Sequence, residues 1–187
     1  MEIYILRHTK VAVGEGVCYG HSDVPLADTF EDEAKVLEKK LQANFDAVYS
    51  SPSQRCIKLA TVIADTDYII DHRLLEMDFG NWENNRWEDL SKEALDLWMK
   101  DFVHIRTENG ESLEDLQKRV ISFLDELLKS SYQKVLIITH SGVIRCIGAY
   151  ILEIPLKNIF KFPVTFGSVY CAQLSQDKNL NMIKSII

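Results

Sequence analysis

Residues 135–139, Val135-Leu136-Ile137-Ile138-Thr139, form an unbroken apolar and β-branched run that ends directly in His140-Ser141-Gly142. A strand with one wet face alternates apolar and polar residues. A run without alternation suits a strand covered on both faces, as in a parallel sheet flanked by helices. Ile3-Tyr4-Ile5-Leu6 and Ala47-Val48-Tyr49 have the same character, Tyr68-Ile69-Ile70 is a third candidate strand before the long run, and Val169 to Leu174 and Leu180 to Ile183 are terminal candidates.

Helical patterns alternate with these runs. One is expected from about Phe30 to Gln42. Another follows Ser50-Ser51-Pro52, which supplies a cap-type residue and a proline suited to a first turn, and this places Arg55 in the opening turn. A third lies near Glu88 to Lys100. Ser112-Leu113-Glu114-Asp115 resembles a capped start for a fourth, in which Leu113, Leu116, Val120, Phe123, Leu124, Leu127 and Leu128 recur at helical spacing to about Ser130, and a fifth runs from about Val143 to Leu152. This order predicts a three-layer α/β/α sandwich with a mostly parallel central sheet.

The chain's 187 residues, 47% of them hydrophobic, provide for one sizeable core, so residues 1–187 are expected to form a single domain. Within it, residues 72–110 are richer in charge and hold Trp82, Trp87 and Trp98. They read as a helical excursion over the site end of the sheet, with the tryptophans packing it down.

Composition excludes several classes of function. With 21 Lys plus Arg against 28 Asp plus Glu, net charge −7, the surface does not suit nucleic acid, and any anion site must be local. Cys18, Cys56, Cys146 and Cys171 are far apart with no C-x-x-C pair, as for reduced thiols in a cytoplasm. Neither a secretory start nor a membrane-length apolar segment is present, so a soluble protein without a membrane partner is expected.

Three strand ends carry the chemistry. Arg7-His8 follows the first run, Ser50 to Arg55 the second, and His140-Ser141-Gly142 the fourth. Ligands in such sheets bind at the carboxyl ends of strands, so neighbouring strands would bring two arginines and two histidines together. Two guanidiniums can hold a phosphate's oxygens while a neutral imidazole attacks phosphorus in line, and the arginines favour neutrality by repelling a further positive charge. An alkoxide leaving group needs a proton, for which Glu76 in Leu75-Glu76-Met77-Asp78-Phe79-Gly80 is the candidate and Asp78 the alternative. Each residue also has a plainer reading. A lone Arg-His pair is commonly structural, Arg55 can pair with Asp46 or Glu76, and His140 can be a satisfied core histidine.

Together these segments resemble the histidine phosphatase (phosphoglycerate-mutase-like) superfamily. Its Arg-His motif matches Arg7-His8, its Ser-Ser/Pro-x-x-Arg motif matches Ser51 to Arg55, its Glu before Phe-Gly-x-Trp-Glu matches Glu76 before Phe79-Gly80-Asn81-Trp82-Glu83, and its His-x-Gly matches His140-Ser141-Gly142. The resemblance implies a phosphohistidine at His8, a phosphate pocket completed by Arg7, Arg55 and His140, Glu76 as the acid, and neither metal nor cofactor. The segment from Cys18 to Leu26 is most similar to the α-ribazole phosphatase branch, which acts on a small phosphorylated nucleoside of cobalamin nucleotide-loop assembly. Tyr19, Gly20, His21 and Ser141 are the candidate substrate contacts.

The family's mutases are longer, which leans this chain towards hydrolysis. The usual Arg-His-Gly-Glu reads Arg7-His8-Thr9-Lys10 here, and Gly14 stands where an asparagine is common, so Lys10 either adds charge to the pocket or faces solvent. Two other readings are metal-dependent hydrolysis with His8, His140, Glu76 and Asp78 as ligands, and a catalytically idle phosphate-binding or regulatory protein. Oligomeric state has no signal in the sequence.

Overall fold

The structure is a computed structural model that describes residues 1–41 and 44–186. Six strands form one sheet: β1 (Glu2–Arg7), β2 (Ala47–Ser50), β3 (Ile69–Ile70), β4 (Lys134–Thr139), β5 (Val169–Gln173) and β6 (Met182–Ile186). Their order is β3-β2-β4-β1-β5-β6. β1, β2, β3 and β4 run parallel, with Ile5 opposite Ile137 and Val48 opposite Leu136, whereas β5 and β6 are antiparallel to their neighbours.

The antiparallel edge follows from chain length. Only a single 3-10 turn at Lys178–Leu180 lies in the link between β5 and β6, too little chain for the crossover that a parallel pair requires. That turn also moves the last strand to Met182–Ile186, later than the apolar pattern from Leu180 suggests.

β4 is central, and its apolar run splits evenly between two cores. Val135 and Ile137 pack with Ile3, Ile5 and the helices α4 (Leu113–Leu127) and α5 (Ser141–Leu152). Leu136 and Ile138 pack on the opposite face with Leu6, Val48 and the helices α1 (Phe30–Lys40) and α2 (Gln54–Ala64). All four β4 residues are fully buried, as a strand covered on both faces must be. The α/β/α layering expected from the sequence is what the structure shows.

Element boundaries shift where side chains cap. α1 ends at Lys40, and the expected end at Gln42 lies outside the described residues. α2 begins after Ser53, which makes no side-chain cap bond, so Pro52 precedes the helix instead of opening it. Its first donor, the Gln54 amide, goes to Asp23 Oδ1 at 2.9 Å from a distant loop. α3 (Lys92–Lys100) starts later than Glu88 because Ser91 caps it through Ala94 N; Trp87–Asp89 forms a separate 3-10 turn. α5 starts at Ser141, two residues before the expected Val143, with His140 as its N-cap.

Residues 72–110 are folded over the α4 side by aromatic packing. Trp82 lies 5.6 Å from Trp98 and 5.9 Å from Trp87, and Trp98 lies 5.9 Å from Phe102, centroid to centroid. Gly80 closes this excursion at φ 54°, where an added Cβ would stand 2.1 Å from the Glu108 carbonyl oxygen. Among the described residues no helix is long and apolar enough to cross a membrane.

α4 opens with a reciprocal cap: Ser112 Oγ accepts from Asp115 N at 3.2 Å, and Asp115 Oδ2 accepts from Ser112 N at 3.0 Å. Ser112→Ala should therefore cost about 1 kcal/mol of stability in urea denaturation, with the native fold retained. An unaltered midpoint would show that the cap contributes nothing.

Candidate active site

The order β2-β4-β1 places the three chemistry-bearing strand ends side by side. The junctions are stitched by backbone bonds: His8 N donates to Thr139 O at 3.0 Å, and Ser51 N donates to Ile138 O at 3.0 Å. His8, Ser51, Arg55 and His140 are thus brought together with almost no exposed surface, His8 at 2% and Arg55 at 1%.

The tautomer of His8 follows from its neighbour. Nδ1 lies 2.8 Å from the Thr9 carbonyl oxygen, which can only accept, so Nδ1 carries the hydrogen and Nε2 keeps its lone pair. Burial and the charges of Arg55 and Arg7 push the His8 pKa down to about 3, against the Thr9 hydrogen bond. The ring is therefore neutral at pH 7, with a lone pair on Nε2.

His140 takes the opposite tautomer. Arg55 Nε donates to its Nδ1 at 3.3 Å, so the hydrogen sits on Nε2 and is donated to Ser51 Oγ at 2.8 Å. Burial, then Arg55 and His8, hold its pKa well below the ordinary value. The two imidazoles meet edge to face at 5.2 Å.

Among the described residues no carboxylate lies within ion-pair distance of Arg55 or Arg7. The expected alternative partners of Arg55, Asp46 and Glu76, are engaged elsewhere: Asp46 accepts from the backbone of Gln133 and Lys134. Arg55 instead donates through Nη2 to Gly20 O at 2.6 Å and through Nη1 to Ser22 O at 2.9 Å. Each Nη carries two hydrogens, so one on each remains for a ligand. Arg7 donates through Nη1 to Val164 O at 2.9 Å and lies over the Phe166 ring at 3.8 Å, while its buried Nε has no partner. These donors, with positive charge left uncompensated, make an anion site in an acidic protein.

Glu76 sits at the N-terminus of α5. Its carboxylate accepts from Gly142 N at 3.0 Å and from Ser141 Oγ at 3.2 Å, and from its own neighbour Met77 N at 3.1 Å. An added Cβ at Gly142 would stand 2.3 Å from Glu76 Oε1, so a larger residue there would displace the carboxylate. Asp78 is committed to a turn, accepting from Gly80 N at 2.8 Å, with its other oxygen 3.5 Å from His21 Nδ1. Beyond Glu76, Ser141 and Gly142 lies a cavity of about 80 Å³ walled by Phe79, Trp98, Phe102 and Phe160, with Arg145 on its wall.

The remaining candidates take varied places. The Tyr19 ring lies 5.5 Å from the Arg55 guanidinium, His21 stands at the partly exposed rim beside Asp78, and Gly20 offers its carbonyl to Arg55. Ser141 binds Glu76. The Lys10 side chain is 63% exposed and reaches towards Glu33 Oε1 at 3.9 Å, so it faces solvent beside α1. His8, His140, Glu76 and Asp78 do not gather: among the described residues no three His, Cys, Asp or Glu side chains cluster as a metal site.

Sequence reasoning missed four contributors. Phe166 packs on both Arg7 and His8; Asp23 caps α2; Arg119 donates to the carbonyls of Arg73, Leu75 and Glu76; and Glu83 accepts from the loop at His21 and Ser22. Only Glu83 carried a signal, as the last residue of the Phe79 to Glu83 motif.

Neutral buried histidines give a signed dependence of stability on pH. In the unfolded chain an imidazole binds its proton near pH 6.5, whereas folded His8 does so only near 3. The unfolded state holds more protons in that window, so stability should fall as pH drops from about 6.5 towards 3, by up to about 1.4 kcal/mol per pH unit for each such histidine. His8→Asn should show a slope shallower by about one histidine's share in urea titrations between pH 6 and 4. Equal slopes would mean that His8 is not held neutral.

Comparison with known proteins places the chain in a family. The family model described as histidine phosphatase superfamily (branch 1) matches residues 3–183. The chain is 32% identical over 166 residues to putative phosphoserine phosphatase 2 of Hydrogenobacter thermophilus, covering 84% of this chain and 82% of that protein. It is 30% identical over 176 residues to adenosylcobalamin/alpha-ribazole phosphatase of Salmonella typhimurium, covering 89% and 87%. In structure it matches the alpha-ribazole phosphatase of Shigella flexneri with a TM-score of 0.91 at 27% identity, over 100% of this chain and 96% of that one. The chain therefore belongs to the histidine phosphatase superfamily, branch 1, and is a phosphoric monoester hydrolase.

Proposed function

We propose that the chain hydrolyses a small phosphate monoester through a phosphohistidine on His8. The observation that carries this is the His8 Nδ1 contact with the Thr9 carbonyl, which leaves Nε2 as a neutral nucleophile beside arginines without carboxylate partners. The phosphate's oxygens take the free hydrogens of Arg55 and Arg7 Nε. His8 Nε2 forms the bond to phosphorus as the bond to the leaving oxygen breaks, and Glu76 delivers a proton to that oxygen. Water then attacks the phosphohistidine and yields its proton to Glu76, which returns neutral His8 and releases inorganic phosphate. No step calls for a metal ion.

The finer reading is that the ester is α-ribazole 5'-phosphate, used in cobalamin nucleotide-loop assembly in the cytoplasm. The Salmonella typhimurium and Shigella flexneri relatives support it. Four buried cysteines without disulfides suit a reducing compartment.

Phosphoserine is a second reading, favoured by two observations. The Hydrogenobacter thermophilus relative is named for it, and the cavity of about 80 Å³ with Arg145 on its wall fits a short carboxylated leaving group. A void that takes a benzene ring measures about 150 Å³, so a nucleoside must extend past this one into solvent.

Comparing kcat/KM for α-ribazole 5'-phosphate, phosphoserine, phosphoglycerates and p-nitrophenyl phosphate in EDTA separates these readings. We expect α-ribazole 5'-phosphate to lead by tenfold or more; a value below the generic ester removes the cobalamin reading, and phosphoserine leading establishes the second. His8→Ala should lower turnover by about a thousandfold or more and abolish an acid-labile phosphoenzyme. Normal turnover in His8→Ala, loss of wild-type activity in EDTA, or tight binding without turnover would each sink the mechanism.

A further inference from the structure

We infer that Glu83 is a positioning residue of the phosphate pocket, acting on Arg55 through the Gly20–His21 peptide. The inference rests on the reading of Arg55 as a phosphate ligand.

The N–H of this peptide, on His21, donates to Glu83 Oε1 at 2.7 Å. Its carbonyl, on Gly20, accepts from Arg55 Nη2 at 2.6 Å. One peptide group therefore lies between a carboxylate and a guanidinium, hydrogen-bonded to both. Charge at each end polarises it, and each bond strengthens the other. Glu83 Oε2 also accepts from Ser22 N at 2.6 Å, and the Ser22 carbonyl accepts from Arg55 Nη1 at 2.9 Å, so both Arg55 nitrogens rest on the stretch that Glu83 holds. A third contact of this carboxylate, from Phe79 N to Glu83 Oε1 at 3.2 Å, ties it to the segment that follows Glu76.

Glu83 is ionised in this setting. Burial alone would raise its pKa, but the bonds from Ser22, His21 and Phe79 outweigh burial and hold it below the ordinary carboxylate value. A carboxylate in direct contact with Arg55 would occupy its donors and cancel its charge. Placed one peptide away, it fixes the guanidinium and leaves one hydrogen on each Nη for phosphate. The spacing depends on residue 20 being glycine, since an added Cβ would stand 1.8 Å from Met77 O and 3.0 Å from Glu83 Oε1.

The loop has other attachments that keep it folded without Glu83: Cys18 N donates to Asn85 O at 2.8 Å, Asn84 N to Cys18 O at 2.8 Å, and Gln54 N to Asp23 Oδ1 at 2.9 Å. Removing Glu83 should therefore free the 20–21 peptide to rotate and loosen Arg55 while the fold persists.

The test measures the competitive inhibition constant of inorganic phosphate, with KM, kcat and thermal midpoint, for wild type, Glu83→Gln, Glu83→Ala, Arg55→Ala and the Glu83→Ala/Arg55→Ala double variant. We expect Glu83→Ala to weaken phosphate about tenfold and raise KM in parallel, and Glu83→Gln, which keeps one acceptor oxygen, to fall between it and wild type. The kcat/KM pH profile should keep its shape in Glu83→Gln, because Glu83 transfers no proton. In the double variant the loss should equal that of Arg55→Ala alone, the mark of residues acting through one contact. Full additivity, or unchanged phosphate binding in Glu83→Ala while Arg55→Ala is weakened, would overturn the inference alone. Unchanged binding in Arg55→Ala would overturn the phosphate-pocket reading beneath it.

Discussion

Arg55 is buried to 1% exposure, yet no carboxylate pairs with it among the described residues. A buried charge without a counterion is costly, and proteins ordinarily avoid it by pairing. Here the cost is reduced by neutral acceptors: the carbonyls of Gly20 and Ser22 and the lone pair of His140 Nδ1. Arg7 is treated in the same way, with a carbonyl and an aromatic face in place of an acid. Dipoles hold the cations in place without discharging them, so a bound phosphate supplies the missing negative charge. Burial and the same field keep His8 and His140 neutral, which ties the protonation state of the proposed nucleophile to the proposed anion pocket.

Much of this frame was legible in the sequence because it is encoded locally. The β4 run shows a doubly covered strand, and its immediate continuation into His140 and α5 fixes where that histidine lies. The capping box of α4 is written in Ser112 and Asp115 within four positions. What was not legible is tertiary. Asp23 caps a helix 31 residues later, and Phe166 reaches Arg7 and His8 only because β5 pairs with β1. Arg119 looked like one of many charged residues on a helix, until three carbonyls of the segment before Met77 converged on it. The α2 boundary misled for a related reason: a local serine-proline signal was outweighed by a cap from elsewhere.

The site is divided between two supports. The sheet ends and α2 hold His8, His140, Arg7 and Arg55, the proposed phosphate-binding groups, whose geometry follows from strand register and backbone bonds. Glu76 and the cavity walls belong to the 72–110 excursion, α4, α5 and the 3-10 turns at Leu156–Lys161, and they meet the sheet-borne groups at the N-terminus of α5, where Gly142 and Ser141 grip Glu76. Glu83 links the two supports: one carboxylate bonds the loop carrying Arg55's acceptors and the backbone of Phe79 on the cavity wall. A change in the aromatic wall can therefore alter which leaving group fits while the phosphate groups stay in register. A change at Glu83 reaches both sides at once.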